Sequence, residues 1–335
     1  KDLIPWTEER SEYRFKEEAY DYSSCRVDYF RRPDVKQAAL FPQNVRLTGD
    51  YSVSFADGYT EYRLPLCYAS FLAGEYPEAK LPPLALMNIG ALDRCVVRNL
   101  LWSSPDSPYG EKMKEETVIY AESQWFIRKT SLYALAAKAG NNREEHNHND
   151  VGSFMLTTSE GVVLWDLGGG EYTRFYFDPA YRYTILCNRS SGHGVPLVNG
   201  KEQVVTDAKA PVQYTENTFT LRLDQAYDDP AFVLGERAFL CGDTSVTVKD
   251  TFGFTETPVS LTDRFVVKDK PVLTEEGRVG LRKGSLSYDK DALSVSVKED
   301  AYSNHQGVSE TVYFIDFTPK KPAKQMSFTY TVSLK

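Results

Sequence analysis

Two of the four histidines in the chain fall in one pentapeptide, His146-Asn147-His148-Asn149-Asp150. Residues two apart in a strand share a face, so the spacing predicts that His146, His148 and Asp150 point one way. A helix would splay them and serve no common site. Turn-like AGNN precedes the motif and strand-like VGSFMLTT follows it, which puts it where a strand begins. Downstream, Val163-Leu164-Trp165-Asp166 reads as an apolar strand closed by a carboxylate, with Gly168-Gly169-Gly170 as the turn behind it. Taken alone, Asp166 reads as a turn-initiating residue bonded to its own backbone. In Ser191-Gly192-His193-Gly194, small neighbours leave a third imidazole approachable. Two imidazoles and a carboxylate from three neighbouring strands make a zinc-type site with a position left open.

The elements that must hold these residues change character near residue 118. Residues 1–118 read as a helical segment. Tyr59, Tyr62, Leu66 and Ala69 recur at helical spacing, interrupted by Pro65, and so do Leu86, Ile89, Val96, Val97 and Leu100 behind Pro82 and Pro83. Residues 119–335 read as a succession of short strands, at 151–158, 162–166, 217–223, 244–249, 293–298, 311–317 and 326–334. Asn199-Gly200 between apolar runs predicts a two-residue hairpin turn. Strands at this density without helices between them predict an α+β chain, a helical segment followed by a large antiparallel β-sandwich.

Bulk composition narrows the function. Hydrophobic residues make up 41% and charged residues 26% of 335, as in an ordinary globular protein. A net charge of −8 argues against a broad nucleic-acid or anionic-membrane surface, though not against a locally basic site. Five widely spaced cysteines, Cys25, Cys67, Cys95, Cys187 and Cys241, form no CxxC pair and predict neither a disulfide framework nor a cysteine zinc site. No apolar run reaches the roughly 18 residues of a membrane helix. The 22 tyrosines suit strands and also sugar-binding walls. The chain starts at Lys1, so the natural start is expected upstream, and localisation is not legible.

Four blocks in order, WFIRK at 125–129, HNHNDVGSFML at 146–156, LWDLGGGEY at 164–172 and RSSGHGVPLVNGKEQ at 189–203, resemble the heparinase II/III-like polysaccharide lyases. That family carries an arginine-containing strand, an HxHxD motif, a strand ending like D-x-G-x-x-x-Y and a histidine leading into an LVDG..Q-like hairpin. Ser54-Phe55-Ala56-Asp57-Gly58 is similar to its FGD element, with Ala56 where a glycine is usual. The resemblance implies that residues 1–118 are the tail of an α/α toroid. It implies His146 as a catalytic residue, and His148, Asp166 and His193 as ligands of a mainly structural metal, zinc, with calcium as the alternative. The implied reaction is β-elimination on a uronate-containing anionic polysaccharide, a glycosaminoglycan or alginate. A base takes the proton α to the carboxylate, and an acid protonates the leaving oxygen.

Arg143, Arg174, Arg182 and Arg189 flank the motifs. Arg143 and Arg189 are taken as substrate-binding candidates, although each by itself reads more readily as a solvated charge. The family's catalytic tyrosine, in an sP.Yh-like stretch of the toroid, has no counterpart among Tyr13, Tyr20, Tyr22 and Tyr29, which predicts a truncated toroid. Tyr172, Tyr181 and Tyr183 could approach from the sandwich side, and Tyr172 is taken as the catalytic candidate. Asn147 and Asn149 face away on a strand, and His305 reads as a surface-loop residue. A non-catalytic zinc-stabilised glycan-binding sandwich is the alternative. A cupin would place a glutamate soon after the HxH pair, where this chain has Asp150 and reaches a glutamate only at Glu160. A zinc-hydroxide hydrolase is chemically open, but no residue pattern calls for it.

Overall fold

The computed structural model describes residues 29–61, 63–80, 87–88, 96–103 and 115–335. Its helices are α1 (Pro33–Val45), α2 (Leu66–Glu75) and α3 (Val96–Trp102), with β1 (Leu64–Pro65) and β2 (Met87–Asn88) paired in parallel between them. Pro33 opens α1, where a missing N–H costs nothing. The helix expected from Tyr59 starts only at Leu66, because Pro65 fixes the residue before it in an extended conformation. The second expected run begins as β2 and becomes helical at Val96. Tyr62, Pro82, Pro83, Leu86 and Ile89, together with Tyr13, Tyr20 and Tyr22, lie outside the described residues.

The unbroken succession of strands begins at Glu116, close to the predicted change of texture. Five of them, β3 (Glu116–Tyr120), β4 (Trp125–Lys129), β5 (Tyr133–Lys138), β6 (Phe154–Thr158) and β7 (Gly161–Leu164), form an antiparallel meander. They are followed by β8 (Leu197–Val198), β9 (Val212–Tyr214), β10 (Thr218–Arg222), β11 (Phe232–Cys241), β12 (Ser245–Phe254) and β13 (Leu261–Val267). The last six are β14 (Val272–Thr274), β15 (Arg278–Leu281), β16 (Gly284–Ser287), β17 (Leu293–Ser303), β18 (Ser309–Pro319) and β19 (Gln325–Leu334). An eight-stranded sheet runs β14-β15-β16-β19-β12-β11-β10-β9, and a four-stranded one runs β17-β18-β13-β8. Trp165 N donates to Val266 O at 2.9 Å, so the meander continues from the end of β7 onto β13. The chain is therefore α+β with a large antiparallel sandwich. Asn199 and Gly200 both take positive φ, 52° and 70°, in the two-residue turn that their sequence predicts.

Alternation makes the core. Along β19 every second residue is buried, and Phe328, Tyr330 and Val332 meet Phe252 and Val248 of β12 and Phe265 and Phe317 of the facing sheet. On β5 all six residues are buried because both faces are covered. Tyr133, Leu135 and Ala137 look into the sandwich, while Ala134 and Ala136 look outward under Val45, Leu47, Val53 and Phe55 of the N-terminal segment. Hydrogen bonds tie that segment down: Lys129 Nζ donates to Gln43 O at 3.0 Å, and Thr48 Oγ1 to Thr158 O at 2.7 Å. Trp165 Nε1 donates to Thr60 Oγ1 at 3.1 Å, and Ser54 Oγ to Asp166 O at 2.8 Å. The docking sets the turn at 55–57 against the loop behind β7. Cys187 and Cys241 are buried free thiols, Cys67 is buried, and Cys25 and Cys95 lie outside the described residues. Among the described residues no helix is long and apolar enough to cross a membrane.

Candidate active site

The HNHND pentapeptide lies in the loop between β5 and β6, not in a strand. Its backbone bonds go to other loops instead of a ladder partner. Asn149 N donates to Asn188 O at 3.0 Å, and Asn142 N to Thr206 O at 3.1 Å. The Gln203 amide clamps Val151 through both its N–H and its C=O, at 2.8 Å each. His146 takes a left-handed φ of 57° that no strand allows. The predicted shared face is thus lost: His146 is exposed, while His148 and Asp150 are fully buried.

The two histidines converge all the same, on a carboxylate from the N-terminal segment. Asp57 Oδ2 accepts from His146 Nδ1 at 2.7 Å and from the Tyr172 hydroxyl at 3.0 Å. Its Oδ1 accepts from Tyr176 at 2.6 Å and from His148 Nε2 at 3.1 Å, with the Arg182 guanidinium 3.6 Å away. Burial works against the charge on Asp57, but the bonds from His148, Tyr176 and His146 outweigh it and hold the carboxyl far below its usual range. The same carboxylate helps burial push the Tyr172 phenol up to about 12, so Tyr172 stays protonated. The glycine run makes this approach possible. A Cβ on Gly168 would strike the Gly58 carbonyl oxygen, and one on Gly169 would sit 3.0 Å from Asp57 O.

Beneath Asp57 lies a second buried group. His148 Nε2 faces Asp57, which leaves its Nδ1 as the lone-pair atom, whereas His193 donates from Nε2 to Cys187 O at 2.8 Å and turns Nδ1 to the Asp166 carboxylate. His148 Nδ1 and Asp150 Oδ2 are buried and have no partner among the described residues. One ligand atom each from His148, Asp150 and His193 lies within 4.8 Å of the others. Asp166 Oδ2 stands 3.0 Å from His193 Nδ1 and also accepts from Ser153 Oγ at 2.6 Å. Lys138 Nζ pairs with Asp150 Oδ1 at 2.7 Å. Burial pushes the His148 imidazole down, so it is neutral. Burial also opposes charge on His193, but the Asp166 charge and hydrogen bond raise it overall. Burial works against ionisation of Asp166, yet the His193 charge and bond hold it down at about 2. An unpartnered imidazole nitrogen and carboxylate oxygen beside a second imidazole form a nitrogen-and-oxygen donor set that suits a divalent cation, which would take the place of the proton between His193 and Asp166.

The remaining candidates separate. Tyr172 reaches Asp57. Tyr183 reaches only Asn147 Oδ1, at 3.1 Å, and Tyr181 is exposed against Phe175. Arg189 is forked onto Glu202, at 2.9 and 3.1 Å through Nε, and Arg143 stands exposed 4.0 Å from Asp207. Arg182, buried and bonded to Asn147 O and Tyr176 O, is the arginine beside Asp57. His305 does sit in the β17–β18 turn, but its ring packs on Tyr172 and Tyr59, with centroids 4.3 and 4.9 Å apart, so it is not a free surface residue. Sequence reasoning missed Asp57 as the hub, and Asp150 as the carboxylate with an open oxygen. Asp57 had a signal in the SFADG stretch, but only tertiary packing carries it 89 residues along the chain to His146.

No family model matches the sequence, and no curated protein matches it in sequence. Solved structures do match. Over 89% of its length the chain is similar to heparan sulfate lyase HepC from Pedobacter heparinus, with a TM-score of 0.64 and 17% identity, covering 45% of that chain. It is similar to the heparinase III-BT4657 gene product with a TM-score of 0.65 and 13% identity, over 89% of this chain and 46% of that one. A further heparinase III gives 0.63 and 14%, over 90% and 48%. The chain thus spans a little under half the length of these proteins, and the likeness is one of fold.

Proposed function

On a heparinase III-like polysaccharide lyase fold, we propose that this chain carries the Asp57-centred half-site of a lyase that cleaves uronate-containing polysaccharide by β-elimination. The observation that carries this reading is the single Asp57 oxygen shared by His146 and Tyr172. With Nδ1 bonded to Asp57, His146 has Nε2 left to accept the proton α to the uronate carboxylate, and the adjacent carboxylate stabilises the imidazolium that forms. Tyr172 cannot act as a tyrosinate base near neutrality; its proton makes it a donor to developing negative charge on substrate or leaving group. Arg143 is the exposed cation proposed to attract the polyanion. Arg189, matched by Glu202, is the weaker candidate.

His148, Asp166 and His193, with Asp150 beside them, would hold zinc. The ion would supply the positive charge that keeps the buried carboxylates and the HNHND loop in place. The substrate class is a glycosaminoglycan or alginate.

Absorbance near 232 nm, which reports the unsaturated uronate, tests the reading on heparan sulfate, chondroitin sulfate and alginate. His146→Ala and Asp57→Asn should each lower the rate by about 100-fold or more, with the double variant little worse than either single one. The wild-type rate should show no rise attributable to tyrosinate below about pH 11, because Tyr172 is pushed up to about 12. An undiminished His146→Ala rate removes the proposed base. Binding of these polymers without new absorbance leaves a glycan-binding sandwich instead.

A further inference from the structure

The segment after the glycine run exposes more aromatic surface than a sandwich loop needs. Tyr172, Phe175, Phe177 and Tyr181 are 44%, 39%, 49% and 49% exposed within ten residues, and Tyr59 stands beyond them at 38%. Scattered exposed rings are ordinary, whereas a contiguous set marks a contact surface. The rings meet one another at an angle: Tyr172 and Phe177 have centroids 4.8 Å apart at 73°, and Phe175 and Tyr181 5.0 Å apart at 51°. Tilted contacts of this kind leave faces that the partner ring does not cover, one face of Phe175 being taken by the Arg174 guanidinium.

The loop is braced from within. Asp178 O accepts from both Tyr181 N and Arg182 N, at 2.9 and 2.8 Å. Arg182 Nη1 donates to Tyr176 O at 3.0 Å, and buried Tyr176 is anchored on Asp57. Rings held this way lose little freedom when a ligand lands on them.

From this arrangement we infer that residues 172–181 form a stacking platform for a pyranose ring of the polysaccharide, next to the bond that is cleaved. The inference rests on the lyase reading above and adds a binding subsite to it. Continuity identifies the occupant. The Phe177 ring meets His146 at 5.4 Å, and the Tyr172 hydroxyl bonds Asp57, so a chain bound at His146 lies against these two rings, with Phe175 and Tyr181 on the same ten-residue loop. Sugars present flat C–H faces that cover aromatic faces, while their hydroxyls stay in water. The Arg174 guanidinium, 4.3 Å over Phe175, supplies one positive charge where the sugar carries a carboxylate or sulfate. Stacking on a C–H face does not depend on sulfation, so the platform accepts sulfated and unsulfated units alike.

Phe175 and Tyr181 lie outside the Asp57 cluster and serve as the test pair. Titration calorimetry on the full chain with a heparan sulfate hexasaccharide and an alginate hexamer compares wild type, Phe175→Ala/Tyr181→Ala and Phe175→Leu/Tyr181→Leu. Both variants should bind about fivefold to tenfold more weakly, by the same factor in low and in high salt. Their melting temperature should stay within about 2 °C of wild type. Unchanged affinity in the alanine variant overturns the platform and leaves the lyase reading intact. Wild-type affinity in the leucine variant replaces ring stacking with a general apolar contact, as for a protein partner. Failure of the wild type to bind either oligosaccharide overturns both inferences.

Discussion

Asp57 accepts hydrogen bonds from four side chains, two imidazoles and two phenols, and three of these bonds have distinct consequences. For His146 it frees the outer nitrogen. For Tyr172 it holds the proton in place. For His148 it fixes the tautomer that turns Nδ1 toward Asp150 and His193. The division of labour between the two histidines of the pentapeptide is therefore sharp, since one is exposed and the other has no access to solvent. If zinc occupies the proposed site, His148→Ala should lower zinc affinity by about 100-fold or more and reduce thermal stability with it, because the site would lose a buried donor. His146→Ala should leave both nearly intact. Elemental analysis and thermal melts check this, and equal metal loss in the two variants would show that the roles are wrongly divided.

At the scale of elements, the site is made of loops and owes its rigidity to the sheet beneath. Arg237 on β11 is fully buried, and its Nη1 donates to Gly152 O at 3.0 Å and to Gly194 O. One guanidinium thereby ties the loop of His148 to the loop of His193. Its other nitrogens fork onto Asp250 at 2.8 Å and reach Asp263 at 2.9 Å. Burial, then the charge of Asp250, push the Asp263 carboxyl well up, against the opposing pull of Arg237. Arg237→Met should cost about 3–5 kcal/mol, since it strands a buried carboxylate and frees two loop carbonyls. Urea denaturation measures that loss, and zinc affinity should fall alongside it. A cost below about 1 kcal/mol would mean that the loops hold themselves.

For the whole molecule, the net charge of −8 sets a background that repels a polyanion. Around the site, Arg182 is consumed by backbone carbonyls and Asp57, and Arg189 by Glu202. Arg143 and Arg174 are the flanking arginines left to meet anionic groups. Binding of a uronate oligosaccharide should therefore weaken by no more than about tenfold between 50 and 200 mM salt, as expected for about two ion pairs. Calorimetric titration across that range decides the matter. A loss of 100-fold would require cations other than these two.

The sequence by itself determined the sandwich, because period-two burial and turn residues are local and survive any packing, as β12, β19 and the Asn199-Gly200 turn show. It also marked His146, His148 and His193, since a rare residue type in short motifs stands out without coordinates, whereas Asp166 joined them through the resemblance. Only tertiary structure decided which atoms face which. The pentapeptide left the strand because its backbone found partners in loops 188–206, and so its histidines are arranged by those loops and not by a pleat. Asp57 became the hub because the N-terminal segment packs on the outer face of the meander, a contact set by shape and burial across about ninety residues, for which no local pattern codes.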